Sequence, residues 1–426
     1  MLDIKFIREN PEIVKEEIKK RNMKINLDSF LDLDKKKRAL QQETENLRKK
    51  QNEANKIISQ KKDEKIISEM KEIKLKLSEL EPELRDLEKK TKNILLELPN
   101  IAHESVPVGL DESGNIVIRK WGEKPSFDFQ PKEHFEIESV KNLIDAKRGA
   151  KVSGARFWYL KGDLAKLEFA LMQYAFEFYS NKGFEPMIVP MLVREQAMCG
   201  TGFFPAERNE IYQVNTDEDD LYLVGTAEVP LAAYHLNEVM DLKNGPKKYL
   251  GYSSCFRREA GTYGKDTKGI LRGHQFNKIE MFVFCRPEES WGLHEELLKH
   301  AEEFLQSLGL HYQVLNMCAG DIGAPNAKKY DIETWMPGQN KYRETHSCSN
   351  DTDFQARRLN CKFVDRDGKK QFVHTLNNTA CADLRILIAI LENYQQKNGS
   401  VIVPEILRKW MGKDVIFQQQ RHTDKH

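Results

Sequence analysis

Between Ile66 and Leu98, seam residues return at alternating steps of four and three without a slip: Ile66, Met70, Ile73, Leu77, Leu80, Leu84, Leu87, Thr91, Ile94 and Leu98. A repeat of about 3.5 residues held this long specifies a helix with one narrow apolar stripe, and that stripe must be covered by another helix. The partner lies upstream. Leu33, Leu40, Leu47 and Ala54 keep one seam position, Lys37, Thr44 and Gln51 hold the other, and Ile58 comes last. Gln60-Lys61-Lys62-Asp63 separates the two halves, so residues 27–98 read as an antiparallel helical hairpin. Pro82 falls inside the second helix, but the seam stays in register across it, which predicts a kink rather than an end. Ahead of the hairpin, Asn10-Pro11 starts a short helix with Ile13, Val14 and Ile18 on its apolar side.

A hairpin of this kind usually joins or dimerises proteins. Its clusters Lys35-Lys36-Lys37-Arg38, Arg48-Lys49-Lys50 and Lys61/Lys62/Lys65 are interleaved with acids, as on a solvated face. The net charge of the chain is only +1, so nucleic-acid binding would have to come from such local patches. At 426 residues the chain has room for two or three domains. No apolar run of about 20 residues and no signal-peptide pattern occurs, so a cytoplasmic protein that does not cross a membrane is expected. Seven scattered cysteines without a C-x-x-C pair predict free thiols and no zinc.

The stretch Cys255–Phe284 carries the chemistry. It reads as a strand ending at Phe256, a loop, and a return strand. Arg257, Arg258 and Glu259 stand where the first strand leaves the sheet. The loop, with Gly261, Gly264, Gly269, Lys265, Lys268 and Arg272, is flexible and cationic. On the return strand Phe276, Lys278, Glu280 and Phe282 share one face. An arginine fork can hold a phosphate, an aromatic ring can stack a base, and a carboxylate can hold an ammonium group. The alternative is a solvated hairpin whose Arg and Glu pair across it.

Phe-Arg-Arg-Glu-Ala-Gly followed by Gly-His-Gln-Phe-Asn-Lys-Ile-Glu closely resembles the second signature motif of class II aminoacyl-tRNA synthetases, in the form of the bacterial-type seryl-tRNA synthetase family. The rest of the chain extends the resemblance from about Met1 to Ile416. Leu164 to Asn181 is amphipathic, Gly183 stops it, and Phe184–Pro190 reads as a strand. This looks like the first motif, which implies a homodimer through about residues 164–190. Pro99 and Asn100 end the arm, and an irregular stretch follows to Pro131; Trp121-Gly122 and Phe127-Asp128-Phe129 within it resemble the start of the family's core.

Thr226 and Glu228 are two apart and share a side if the segment is extended. That describes a strand with polar tips or, by resemblance, the serine-binding Thr226-Ala227-Glu228. Glu344 and Ser347, in Arg343–Asn350, are hard oxygen donors suited to a partly hydrated Mg²⁺, and His346 lacks neighbours at zinc spacing. Gln355-Ala356-Arg357-Arg358 continues the resemblance. His374–Thr379 then leads into a helix expected over Ala380–Tyr394, apolar on nearly its whole circumference. Arg385 in that setting needs a partner, either a phosphate or a carboxylate such as Asp383. The third class II motif resembles this segment and gives Arg385 the γ-phosphate. Asp383 and Cys381 depart from its pattern, and a carboxylate beside a triphosphate would repel it unless it points away.

The resemblance implies an α+β fold: a class II antiparallel sheet flanked by helices, preceded by a long antiparallel coiled-coil arm. It places an N-terminal tRNA-binding domain over 1–104 and a catalytic domain over 105–426. It implies serine–tRNA ligation, with ATP and Mg²⁺ and without zinc, acting on tRNA(Ser), with tRNA(Sec) as a second candidate. L-serine would meet Thr226, Ala227, Glu228, Arg257, Glu280 and Thr379. ATP would meet Arg257, Arg258, Glu259, Gly273, Phe276, Glu344, Thr345, His346, Ser347 and Arg385, with Mg²⁺ on Glu344 and Ser347. Arg257 and Arg385 are the expected catalytic pair, and Lys35, Lys36, Arg38, Arg48 and Lys49 the expected tRNA contacts. Two other classes stay open at this point: an amino-acid ligase charging a carrier protein, which would not need the arm, and a catalytically silent coiled-coil RNA-binding protein, which would not need the arginines.

Overall fold

A computed structural model describes residues 1–60, 63–215, 218, 220–260 and 268–417. Lys61 and Lys62, and the loop residues Gly261, Gly264 and Lys265, lie outside the described residues. The chain forms two compact units, Met1–Pro99 and Asn100–His426.

In the first unit, short helices Ile4–Glu9 and Pro11–Lys20 precede two 34-residue helices, Leu27–Gln60 and Glu64–Glu97. The second runs through Pro82. Every predicted seam position on both helices is buried or half-buried. The polar seam residues explain their own tolerance: Thr44 and Thr91 donate their hydroxyls to the carbonyls of Leu40 and Leu87 one turn earlier, so neither leaves a buried polar group unpaired. Asp34, also buried, accepts both arms of the Arg8 fork at 2.7 and 2.8 Å, and so pins the arm's base to the first short helix.

The second unit is built on an eight-stranded sheet. Its strands in chain order are β1 (Ile116–Trp121), β2 (Glu185–Ile188), β3 (Lys247–Phe256), β4 (Gln275–Cys285), β5 (Tyr312–Asn316), β6 (Lys328–Met336), β7 (Lys341–Thr352) and β8 (His374–Ala382). Across the sheet they run β1-β5-β6-β7-β8-β4-β3-β2. All neighbours are antiparallel except β2 and β3. Helices Asp163–Ser180, Ser290–Ser307 and Asp383–Asn393 supply the core of one face, where Leu171, Phe304 and Ile390 join Ile279, Met281 and Val283 of β4. Phe282 and Phe284 point to the other face and into a smaller cluster with Leu231 and Leu359. Further along that same face, β4 changes from phenylalanine to Glu280, Lys278 and Phe276, and there the sheet is open to a cavity.

Two readings of the sequence change here. The stretch taken as irregular contains β1, the sheet edge, all of whose residues are exposed. The helix expected over Ala380–Tyr394 begins at Asp383, not Ala380. Residues 380–382 continue β8, a central strand buried on both faces whose pairing with β4 extends to Ala382. The small apolar residues Ala380-Cys381-Ala382 suit a helix as well as a strand, so periodicity could not place the boundary.

Candidate active site

The cavity has a volume of about 560 Å³ and lies over β4, β6, β7 and β8. At its deeper end the Lys278 ammonium sits 2.6 Å from Glu280 Oε2 and donates to Thr226 Oγ1 at 3.2 Å. All three residues are buried, and Thr379 lines the same pocket from β8. Burial pushes the Glu280 carboxyl above the usual range, while Lys278, Arg257 and Thr226 pull it back toward ionisation. Thr226 and Glu228 do share the pocket, but not on an extended segment: the strand ends at Leu223, and Ala227 turns the chain into a short helix beginning at Glu228. Glu228 accepts from Gln355 Nε2 at 2.8 Å. Burial, together with the charges of Asp351 and Glu280, raises it to about 8.

Arg257 stands between this end and the next. Its Nε donates to the Gly225 carbonyl at 3.1 Å, and its guanidinium lies 5.3 Å from the centre of the Phe276 ring. Glu259 is held at a positive φ of 51° and pairs with Arg272 at 3.2 Å. Gly273 packs so closely on Trp158 that a Cβ would come within 2.2 Å of the indole. At the far wall Arg385 donates to the backbone carbonyl of Glu344 at 2.8 Å and to its carboxylate at 3.1 Å. Glu344, not Asp383, is therefore the carboxylate that pairs with Arg385. Burial disfavours the Glu344 charge, but Arg385, Lys329 and Arg257 outweigh it and hold the carboxyl at about 2.

A cavity with a closed, ion-paired end for a small zwitterion and an arginine-rich end beside an aromatic face suits an amino acid next to a nucleotide. Residues 1–102 match the family described as "Seryl-tRNA synthetase N-terminal domain", and residues 212–394 match "tRNA synthetase class II core domain (G, H, P, S and T)". The serine–tRNA ligase of Thermodesulfovibrio yellowstonii is 46% identical over 425 residues, covering 98% of this chain and 100% of that one. The chain belongs to the seryl-tRNA synthetase family. The fold agrees. The seryl-tRNA synthetase of Pyrococcus horikoshii complexed with ATP superposes with a TM-score of 0.88 at 44% identity, covering 98% of this chain and 99% of that one. The cytoplasmic serine–tRNA ligase of Naegleria fowleri in complex with AMP gives 0.85 at 36%, covering 99% of each. The chain is thus an aminoacyl-tRNA ligase with a class II core.

The carboxylate at Asp383, which would repel a triphosphate unless it points away, is tied down by the backbone. The carboxyl is buried and accepts from the backbone N–H of Asn277 at 2.8 Å and of Leu384 at 2.6 Å. Burial and Glu168 push it well above the usual carboxylate range, which weakens its tendency to face an anion as a charge. Three residues named from the sequence do not reach the cavity with their side chains. Ala227 packs in the smaller core cluster, and Arg258 is exposed. His346 points to the helix-covered face, where burial lowers it to about 4 and Phe304 lies 6.3 Å away. The cause is strand alternation: a bulge opposite Ile332/Glu333 lets Glu344, Thr345 and Ser347 all meet the cavity, which leaves His346 behind the sheet. Sequence reasoning missed Lys329, Asn377 and Gln355, which reach the cavity or its wall from three separate elements. No local pattern marks Lys329 or Asn377, and Gln355 stands only in a stretch read by resemblance, without a role.

Proposed function

We propose that this enzyme activates L-serine with ATP and transfers it to tRNA(Ser) through the residues assembled above. The observation that carries the proposal is the Thr226–Lys278–Glu280 cluster lying one arginine away from an aromatic nucleotide face. Serine's carboxylate attacks the α-phosphorus of ATP, giving seryl-adenylate and diphosphate. The terminal ribose hydroxyl of tRNA then attacks the adenylate carbonyl and releases AMP. Neither step needs a protein nucleophile, so positioning and charge neutralisation do the catalysis. Arg257 spans the α-phosphate and the serine carboxylate. Phe276 stacks the adenine, Glu259 reads its amino group across from Gly273, and Arg385 takes the γ-phosphate. Thr226, Glu228, Glu280 and Thr379 frame the serine.

Mg²⁺ fits the donor set at the phosphate end. Glu344 is held ionised by three cations, and Ser347 adds a neutral oxygen on the same wall. A bound Mg²⁺ would neutralise phosphate charge there. On the arm, Lys35, Lys36 and Lys49 are exposed and suit RNA phosphates, while Arg38 and Arg48 already pair with Asp34 and Glu81. A homodimer through residues 164–190 is supported by Phe169 and Ile188, apolar side chains 77% and 85% exposed on those elements. A cytoplasmic location accords with the absence, among the described residues, of any helix long and apolar enough to cross a membrane. Serine-dependent ATP–diphosphate exchange, followed by charging of purified tRNA(Ser) and tRNA(Sec), tests the whole reading. Exchange without charging of either tRNA would favour a carrier-protein ligase, and no exchange would favour a silent RNA-binding protein.

A further inference from the structure

The cavity's nucleotide wall ends on the return leg Ile270–Gly273, and that leg is fastened from behind by a group outside the site. His134, almost fully buried, accepts the backbone N–H of Ile270 on its Nε2 at 3.0 Å. That bond requires a lone pair on Nε2, so the ring proton is on Nδ1, where it donates to Glu392 Oε1 at 3.2 Å. Gly269, at φ +69°, makes the approach possible, since a Cβ there would lie 2.2 Å from Nε2. Glu392, fully buried in the last turn of Asp383–Asn393, is a hub. It also accepts the backbone N–H of His134 at 3.2 Å, the backbone N–H of Gly338 at 2.9 Å and Gln339 Nε2 at 3.2 Å. Gln339 in turn accepts Arg343 Nε at 2.9 Å, next to Glu344. The return leg, the β6–β7 turn and the helix that carries Arg385 are therefore joined through one imidazole and one carboxylate.

We infer that His134 is a positioning residue for the nucleotide: through the Ile270 N–H it sets where Leu271, Arg272 and Gly273 stand against the base, and through Glu392 it couples that position to the phosphate wall. The inference rests on the reading of the cavity as the ATP site. A side chain in this role must span from a carboxylate to a backbone donor with one donor and one acceptor. Histidine in the Nδ1–H form does so, glutamine can, and leucine or asparagine cannot, the last because it is too short.

The test uses the full-length enzyme with His134→Leu, His134→Asn and His134→Gln. Their KM values for ATP and for serine are measured by diphosphate exchange, and the hydrogen exchange of the Ile270 amide is followed. His134→Leu should raise KM for ATP by about ten-fold while KM for serine stays within about two-fold, and should speed exchange at Ile270. His134→Gln should recover most of both effects. If the leucine variant does not fold, the asparagine variant carries the same expectation. Equal rises in both KM values, or no rescue by glutamine, would overturn the inference and leave His134 a plain core residue. Phe276→Ala is the separate control: an unchanged KM for ATP in that variant would count against the nucleotide site itself, and the Ile270 exchange rates would then decide the role of His134 alone.

Discussion

The arm and the catalytic unit place charge in opposite ways. On the arm it is outside: Arg48 pairs with Glu81 across the hairpin with side chains 58% and 32% exposed, while the seam between the helices holds the fold. In the cavity it is inside: Lys278 and Glu280 pair with side chains only 11% and 1% exposed. An exposed pair contributes at most ~0.5–1 kcal/mol, whereas breaking a buried pair leaves a desolvated charge without compensation. The arm's cations are therefore available to a partner at little cost to folding. The cavity's charges are committed to each other until a substrate replaces or joins those contacts.

The largest effect should come from removing one region and keeping the other. Replacing Lys35–Thr91 by a short linker should abolish tRNA charging at ordinary tRNA concentrations and spare diphosphate exchange. Affinity of the intact enzyme for tRNA should fall steeply with salt as phosphate contacts release counterions. Loss of both activities on deletion would show that the arm serves folding, and the contrast would collapse.

Next in size is the clamp between the two ends of the cavity. Arg257→Ala should weaken adenylate formation by ~2–4 kcal/mol with an unchanged melting temperature, and Arg257→Lys should recover only part, because a point charge does not bridge two anions as a fork does. Exchange at the wild-type rate in the alanine variant would remove Arg257 from the mechanism.

Amino-acid choice should respond to Glu280 and Thr379. Glu280→Ala should lose most serine activation and narrow the serine-to-alanine ratio, since the carboxylate proposed to read the hydroxyl would be gone. Exclusion of threonine depends on space, worth only ~1–3 kcal/mol for a methyl, so Thr379→Ala should admit threonine measurably. Exchange assays with the three amino acids decide both.

The smallest effect is on stability and runs through Glu228. Folding raises this carboxyl from its ordinary 4.5 to about 8, so between those values the folded chain holds a proton that the unfolded chain releases. The sign follows: this group's contribution to stability falls as pH rises through that window. Glu228→Gln, which stays neutral, should gain on the wild type by ~1–3 kcal/mol between about pH 5 and 8 and no further above it. Urea unfolding at a series of pH values measures this, and a constant difference across the window would mean that Lys278 keeps Glu228 ionised.

How much of each region the sequence disclosed follows from how local its forces are. The arm was legible almost residue by residue. A helix repeats over a few positions, so Leu77, Leu87 and Thr91 carry their burial in their spacing. The hairpin Cys255–Phe284 was legible for the same reason, since one strand's alternation put Phe276, Lys278 and Glu280 together. What the sequence could not express is whatever joins distant elements. The bulge that turns His346 behind the sheet depends on β6, and the end of β8 depends on pairing with β4. The upward shift of the Asp383 carboxyl depends on burial and on Glu168, and the choice of Glu344 for Arg385 depends on which strand lies beside that helix. The Ile270–His134–Glu392 link spans three segments with no pattern in any of them. Local periodicity determined the elements and their chemistry, while register, burial and the partner of each charge were decided by tertiary packing, because a carboxylate's proton and a side chain's direction are set by what surrounds them in space.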